Sequence, residues 1–448
     1  MCPNKECSRY QDGQLTEPTI IEFRPERDAL GDVAVPADAL FGAHTVRALA
    51  NFSVSGEAVR QRPDLVAAFG HVKSATAQAN AACGVLEDGI AAAIRDAARE
   101  IARGDHDDQF PIDLVHGGGG TAVHMNVNEV IANLTNERLG GRRGHYFPVH
   151  PNDHVNRSQS TNDVFPTALA LATVAAGRRA ITSFDGLAAT LLAKAAEAGG
   201  VQRLGRTCLQ DAVPLTVAQT HGAQAHAISR TAAALRRSLD GMLAVPLGAT
   251  AIGTGIGSPP GYRDLALRFL AEESGLEVRG SDDLFDALAN LDGYVDVAAQ
   301  VVRISLVIAK IAADLRLLAS GAVAEVRLPA VQVGSSIMPG KANPVIPELV
   351  MQVSYEARGM ATVVEAAVAA GELELNAMEP VIARHLLGSL HDVGRVAQIF
   401  ADRCIAGLEW NEPTLRAHLA GSLAGIVESA AELGYSQVSG LASADRER

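Results

Sequence analysis

The chain has 448 residues, a formal charge of −13 and 4% aromatic residues. That length holds a large core and two or three domains, and the acidic balance, with no Lys/Arg-rich block, excludes a nucleic-acid surface. Five scattered cysteines exclude a disulfide framework, and no signal-peptide core or apolar run of membrane-spanning length is present, so a cytoplasmic protein is expected.

Residues 1–20 are polar and read as a disordered tail, whose Cys2 and Cys7 lack the second pair that a zinc site needs. Residues 21–57 read as an irregular entry segment. From about 64 to 103, Ala-rich patterns predict short helices broken at Gly70 and Gly84. The run His116 to Thr121, HGGGGT, is too glycine-rich for anything but a loop, and a helix follows from about Asn126 to Leu139. The polar run Ser158 to Asp163 caps a helix whose apolar stripe begins near Val164. Another long pattern spans Val217 to Leu243.

The most regular stretch follows. Val297, Val301, Ile304, Ile308, Ile311, Leu315 and Leu318 are spaced by alternating fours and threes, the heptad rhythm of a helix packed along its length. Leu386, Leu390, Val393, Ala397 and Phe400 repeat it, and Leu349, Val353, Ala357, Met360, Val364 and Ala367 follow it more loosely. Beyond Pro413 the pattern weakens. The expected fold class is therefore all-α, a bundle of long helices. Its domains are a tail at 1–20, a mostly helical region at 21–160, the central bundle at 161–410 and a short C-terminal domain at 411–448. A helix of about thirty residues is about 45 Å long, more than one small domain covers, so side-by-side packing with copies of the same chain is expected.

Several chemical motifs fail on inspection. His116-Gly117-Gly118-Gly119 resembles an esterase oxyanion loop, but no G-x-S-x-G nucleophile turn accompanies it. Gly253 to Ser258 lacks the last glycine of a dinucleotide fingerprint, and no phosphate-binding P-loop occurs. His150 and His154 are four apart, yet Pro151 and the Asn/Asp neighbours argue for an irregular segment rather than a metal-binding helix face. What remains is four hydroxyl- and amide-rich clusters: around Thr121, at Ser160-Thr161-Asn162, at Arg206 to Asp211, and at Ser335 to Asn343. Each alone reads as a cap or turn. Together they offer short neutral donors and one cation, Lys341, a set that suits a small dicarboxylate.

The strings HPNDHVNRSQSTNDVFPTA, GRTCLQDAVP, LGATAIGTGI, GSSIMPGKANPVIPE and LELNAMEPVI resemble the aspartase/fumarase superfamily, from about Leu30 to Leu423. NPVIPE and LELNAMEPVI resemble aspartate ammonia-lyases more than class II fumarases. The resemblance implies a homotetramer with a twenty-helix core and active sites shared by three subunits, without metal or organic cofactor. Ser335 would act as an alkoxide base on Cβ. Thr121, Ser160, Thr161 and Ser336 would bind the carboxylate beside that carbon as it becomes an enediolate. Lys341, Asn343 and Thr207 would hold the other carboxylate, Asn162 would contact the leaving amino group, and the loop around Ser335 would close as a lid.

Departures from the pattern lie near the leaving group. Cys208 stands where the family has His or Gln and is a poor hydrogen-bond donor. His124 stands where the motif has Asn, a possible specificity position, and Gly119 and Ala122 also differ. Ammonia is the leading expectation for the departing group. A changed group, as in nitrosuccinate or an N-substituted aspartate, is the alternative, followed by fumarase and by a non-catalytic crystallin-like scaffold, which has no need of Ser335, Lys341 and Asn343.

Overall fold

The Ala-, Leu- and Val-rich runs form helices in the computed structural model of the chain. It describes residues 22–422, together with 10–11, 14–15, 430, 432, 434–436 and 438. The expectations for Cys2 and Cys7, for most of the tail and for most of the chain beyond 422 lie outside the described residues. By internal contacts the chain divides into two units, each drawn from three stretches of sequence.

The first unit holds Met1–Ala172, Ala244–Asn290 and Gly371–Val381. The segment expected to be irregular contains an antiparallel hairpin, β1 (Phe23–Asp28) with β2 (Gly31–Pro36), and then helix α1 (Ala43–Asn51). Glu129, on helix α4 (Thr121–Arg138), explains why this segment is ordered. Its buried carboxylate accepts from the backbone N–H of Gly42, His44 and Thr45 and from the Thr45 hydroxyl, at 2.6–3.2 Å. An acceptor 85 residues away in sequence leaves no local signature.

Helix α2 (Pro63–Ala82) runs unbroken through Gly70, contrary to the sequence expectation, and packs on α3 (Asp88–Arg103). A Cβ at Gly70 would lie 2.6 Å from the Ala98 carbonyl oxygen and the Ala102 nitrogen. The glycine is thus a contact point between helices. The expected break at Gly84 holds, since its φ of +72° follows the end of α2. Helix α7 (Tyr262–Ser274) also packs on α2, and α8 (Leu284–Ala289) completes the helices of this unit's middle stretch.

The second unit holds Thr173–Leu243, Leu291–Ala370 and Ile382–Arg448. It contains most of α5 (Thr161–Ala198), the β3 (Gln202–Thr207) and β4 (Gln210–Thr216) hairpin and α6 (Val217–Gly241). It also contains α9 (Asp292–Leu318), α10 (Val345–Val368), most of α11 (Glu379–Phe400) and α12 (Glu412–Ala420), which Pro413 opens. Every residue of the two regular heptad stripes is buried. The looser α10 stripe is displaced: Leu349 is exposed, and Val350, Ser354, Ala357, Val364 and Ala367 form the buried face. Helix α9 packs on α6 and α10. Helix α5 is long and apolar enough to cross a membrane, but 83% of its apolar window is buried within the protein, the position of a core helix.

Candidate active site

In the first unit, the glycines Gly118, Gly119 and Gly120 all have positive φ, and a Cβ on Gly120 would overlap the Phe165 ring. Only glycine turns the chain so tightly into α4. Thr121 and His124 stand on the first turn of that helix, and the Thr121 hydroxyl donates to the Gly118 carbonyl oxygen at 2.8 Å.

The expected cap of α5 is formed by Ser160 and Asp163. Ser160 Oγ accepts from the Asn162 N–H (3.2 Å), and Asp163 Oδ1 accepts from the Ser160 N–H (2.9 Å). Ser160 thus caps the N–H of the second helical residue, and Asp163 reaches back from the third to the N–H of the cap residue. Asp163 Oδ2 takes two more N–H donors, from Gly248 and Thr250. Burial pushes the Asp163 carboxyl up to about 6 in spite of these bonds. The Asn162 amide nitrogen donates to the Ala251 carbonyl oxygen at 2.7 Å. Two helix N-termini therefore carry the hydroxyls, with their partial positive charge, at Thr121 and at Ser160-Thr161. A direct bridge joins them: His124 Nδ1 lies 2.8 Å from Thr161 Oγ1.

His124 is 1% exposed, and its Nε2 lies 2.6 Å from the side-chain nitrogen of Lys73, which is wholly buried on α2. Lys73 also donates to Asn156 Oδ1 (3.1 Å) and Gln159 Oε1 (2.8 Å). Burial lowers both Lys73 and His124 well below their ordinary values. Asp163 opposes that for Lys73, whereas Lys73 and His44 reinforce it for His124. Sequence reasoning passed over Lys73. Its one signal was a lysine in the middle of an Ala-rich helical run.

In the second unit, Thr207 ends β3 and Cys208 begins the two-residue turn to β4, both exposed. Cys208 and Leu209 have φ of 52° and 59°. This is the left-handed pair of a tight hairpin turn, a conformation that favours Asn-Gly and costs other residues energy. Ser335, Ser336, Lys341 and Asn343 lie together in the irregular loop before α10. The loop is closed by Gly334 N–H donating to the Lys341 carbonyl oxygen and by Asn343 Nδ2 donating to that of Gly334, each at 2.8 Å. Within it, Ser335 Oγ accepts from two backbone N–H groups, Ile337 at 3.2 Å and Met338 at 3.0 Å. Donors so placed favour an anionic oxygen. Ile337 and Met338 are exposed.

The four clusters thus divide between the units, Thr121, His124 and 160–162 in the first, and 207–208 and 335–343 in the second. His150 and His154 sit in one irregular turn, with His154 Nδ1 accepting from the His150 N–H at 2.9 Å. Among the described residues no group of three or more His, Cys, Asp or Glu side chains is placed to hold a metal ion.

A profile of the family described as Lyase matches residues 31–359. Aspartate ammonia-lyase from Pseudomonas aeruginosa is 42% identical over 396 residues, 88% of this chain and 84% of that protein. The structure of fumarate lyase:delta crystallin from Brucella melitensis superposes with a TM-score of 0.91 at 42% identity, covering 94% of this chain and 92% of that one. Class II fumarase from Schistosoma mansoni superposes with a TM-score of 0.89 at 30% identity, covering 94% and 91%.

Proposed function

The chain belongs to the aspartase/fumarase family of lyases, and from that membership we propose that it is an aspartate ammonia-lyase, a carbon–nitrogen lyase that converts aspartate to fumarate and ammonia. The observation that carries the mechanism is Ser335 Oγ held by two N–H donors. As an alkoxide, Ser335 removes a proton from Cβ. The electron pair moves first into the adjacent carboxylate, giving an enediolate, and then forms the carbon–carbon double bond as the Cα–N bond breaks and the amine departs. Thr121, Ser160, Thr161 and Ser336 donate to that carboxylate, and their hydrogen bonds strengthen as its charge grows. Lys341, Asn343 and Thr207 hold the second carboxylate. Asn162, whose amide nitrogen is anchored on Ala251, turns its carbonyl oxygen to the leaving amino group. The exposed 335–343 loop closes over the substrate and excludes water, which a serine alkoxide requires.

The complete site is built in a homotetramer, with three subunits contributing to each site. Exposed apolar residues on the long helices support this reading: Leu192 on α5, Leu306 and Leu317 on α9, and Leu349 and Tyr355 on α10. Free thiols at Cys83, Cys208 and Cys404 suit a reducing, cytoplasmic setting. Cys208 favours a second reading of the leaving group alone. An exposed thiol in a strained turn binds an amine differently from His or Gln, and nitrosuccinate or an N-substituted aspartate is then the substrate. Incubation with aspartate, malate, nitrosuccinate and an N-substituted aspartate, followed by fumarate absorbance, tests both. Fumarate from aspartate alone supports the ammonia-lyase, and turnover confined to another compound refutes it.

A further inference from the structure

The contacts of Lys73 determine which way a substrate-binding hydroxyl points. The Asn156 amide nitrogen donates to the Gln159 carbonyl oxygen (3.4 Å), and that of Gln159 donates to the carbonyl oxygens of Val155 and Arg157 (3.1 and 3.0 Å). Both amides are thereby oriented with their oxygens toward Lys73. The third neighbour of the Lys73 nitrogen is His124 Nε2, at 2.6 Å. That separation is in the short range of a charge-assisted hydrogen bond. An ammonium has three protons and no acceptor, so all three are matched, and His124 Nε2 is left as the acceptor. The neutral ring then carries its proton on Nδ1 and donates it to Thr161 Oγ1, 2.8 Å away.

We propose that Lys73 and His124 are positioning residues: the Lys73 ammonium fixes His124 as the Nδ1–H tautomer, and this makes the Thr161 hydroxyl accept from the ring and direct its own proton to the substrate carboxylate. The proposal rests on the reading of Thr161 as a carboxylate ligand. A neutral amine at Lys73 would reverse the chain. It would accept from Nε2–H, Thr161 would donate to Nδ1, and the hydroxyl would present only lone pairs to an anion. Burial by itself lowers Lys73 well below its ordinary value; what favours the charged form is the three acceptors around its nitrogen and the opposing charge of the buried Asp163 carboxylate. The arrangement also gives His124 a task that a substitution at a specificity position does not suggest. It sits behind the ligand hydroxyl, out of solvent, and acts through it.

A double-mutant cycle tests the relay, with fumarate as the probe and its dissociation constant read by calorimetry on the intact oligomer. Thr161→Val is expected to weaken binding roughly tenfold or more, the factor for a lost hydrogen bond to a charged group. Lys73→Met, alone, is expected to produce a comparable loss, and the double variant to bind no more weakly than Thr161→Val. Losses that multiply overturn the relay while leaving Thr161 as a ligand. Unchanged binding by Thr161→Val overturns the reading of Thr161, and the relay with it. Should Lys73→Met fail to fold, His124→Phe replaces it in the same cycle, keeping the ring and its stacking on Phe69. Independently, in protein labelled with 15N-histidine, the resonances lost in His124→Phe should report a protonated Nδ1 and a bare Nε2. The opposite tautomer overturns the proposal.

Discussion

Replacing Ser335 by Ala removes the proposed base and little else. In the resting loop Ser335 Oγ accepts from the N–H groups of Ile337 and Met338. Hydrogen bonds to a charged group contribute about 1.5–3 kcal/mol each. The same bonds to the neutral hydroxyl contribute about 0.5–1.5 kcal/mol each, so the two together favour the alkoxide by about 2–3 kcal/mol, and at about 1.36 kcal/mol per pH unit this lowers the hydroxyl by roughly 2 units. The remaining cost of deprotonation falls to water exclusion and to the substrate's own binding. Removal of a general base lowers turnover by about 10²–10⁴-fold, so kcat for fumarate formation is expected to fall by at least about a hundredfold with KM little changed. The fold is insulated from the change, because the loop remains closed through Gly334, Lys341 and Asn343. Thermal unfolding should therefore match the parent chain. Turnover within about tenfold of the parent, below the range for a general base, would refute the assignment of Ser335 and the hydrogen-bond argument behind it.

The remaining predictions concern packing, a buried charge cluster and the leaving-group pocket. Gly70→Leu sets a side chain against the α3 backbone and should cost at least the ~1–3 kcal/mol of core overpacking; urea unfolding at parental midpoint would contradict the close contact. Glu325, wholly buried, accepts from Arg206 and His418 at 2.6 and 2.7 Å and lies near Arg203. Glu325→Ala should cost about 3–5 kcal/mol by leaving buried charge uncompensated, measured by urea unfolding. Burial raises the Glu325 carboxyl, but the hydrogen bonds of Arg206 and His418 and the arginine charges outweigh it and hold it below its ordinary value. A folded value below the unfolded one gives stability that is full above about pH 4.3 and is lost as pH falls through the folded value. Glu325→Gln should flatten that acid slope, and an unaltered slope would contradict the pairing. Cys208→His or Cys208→Gln should shift the ratio of kcat/KM between aspartate and the alternative substrates, and an unchanged ratio would remove Cys208 from the pocket.

The architecture is legible in the chain wherever the apolar signal is periodic. The stripes of α9 and α11 are buried residue for residue, because a heptad is a local property of a rod packed along its length. The looser stripe of α10 misplaced the buried face at Leu349, where the pattern had several apolar registers to choose from. Gly70 reads as a break in the sequence because glycine lowers helix propensity. Packing reversed that, since only glycine lets α2 approach α3 so closely. The hairpin and helix at 23–51 were invisible for another reason: the carboxylate that orders Gly42, His44 and Thr45 belongs to Glu129.

The chemical inventory was present in the sequence by itself, with the hydroxyls at 121, 160–161 and 335–336, the amides at 162 and 343, Lys341, and the turn that bears Cys208. So was the all-helical class, because side-chain periodicity and turn residues act within a few positions of themselves. Tertiary structure alone decided how the polar groups are satisfied. Lys73 meets partners 51, 83 and 86 residues away, and His124 meets Thr161 across 37. A buried donor or acceptor must find its complement wherever packing brings one, at a cost of about 1–3 kcal/mol when it does not, and that condition is imposed by the whole fold.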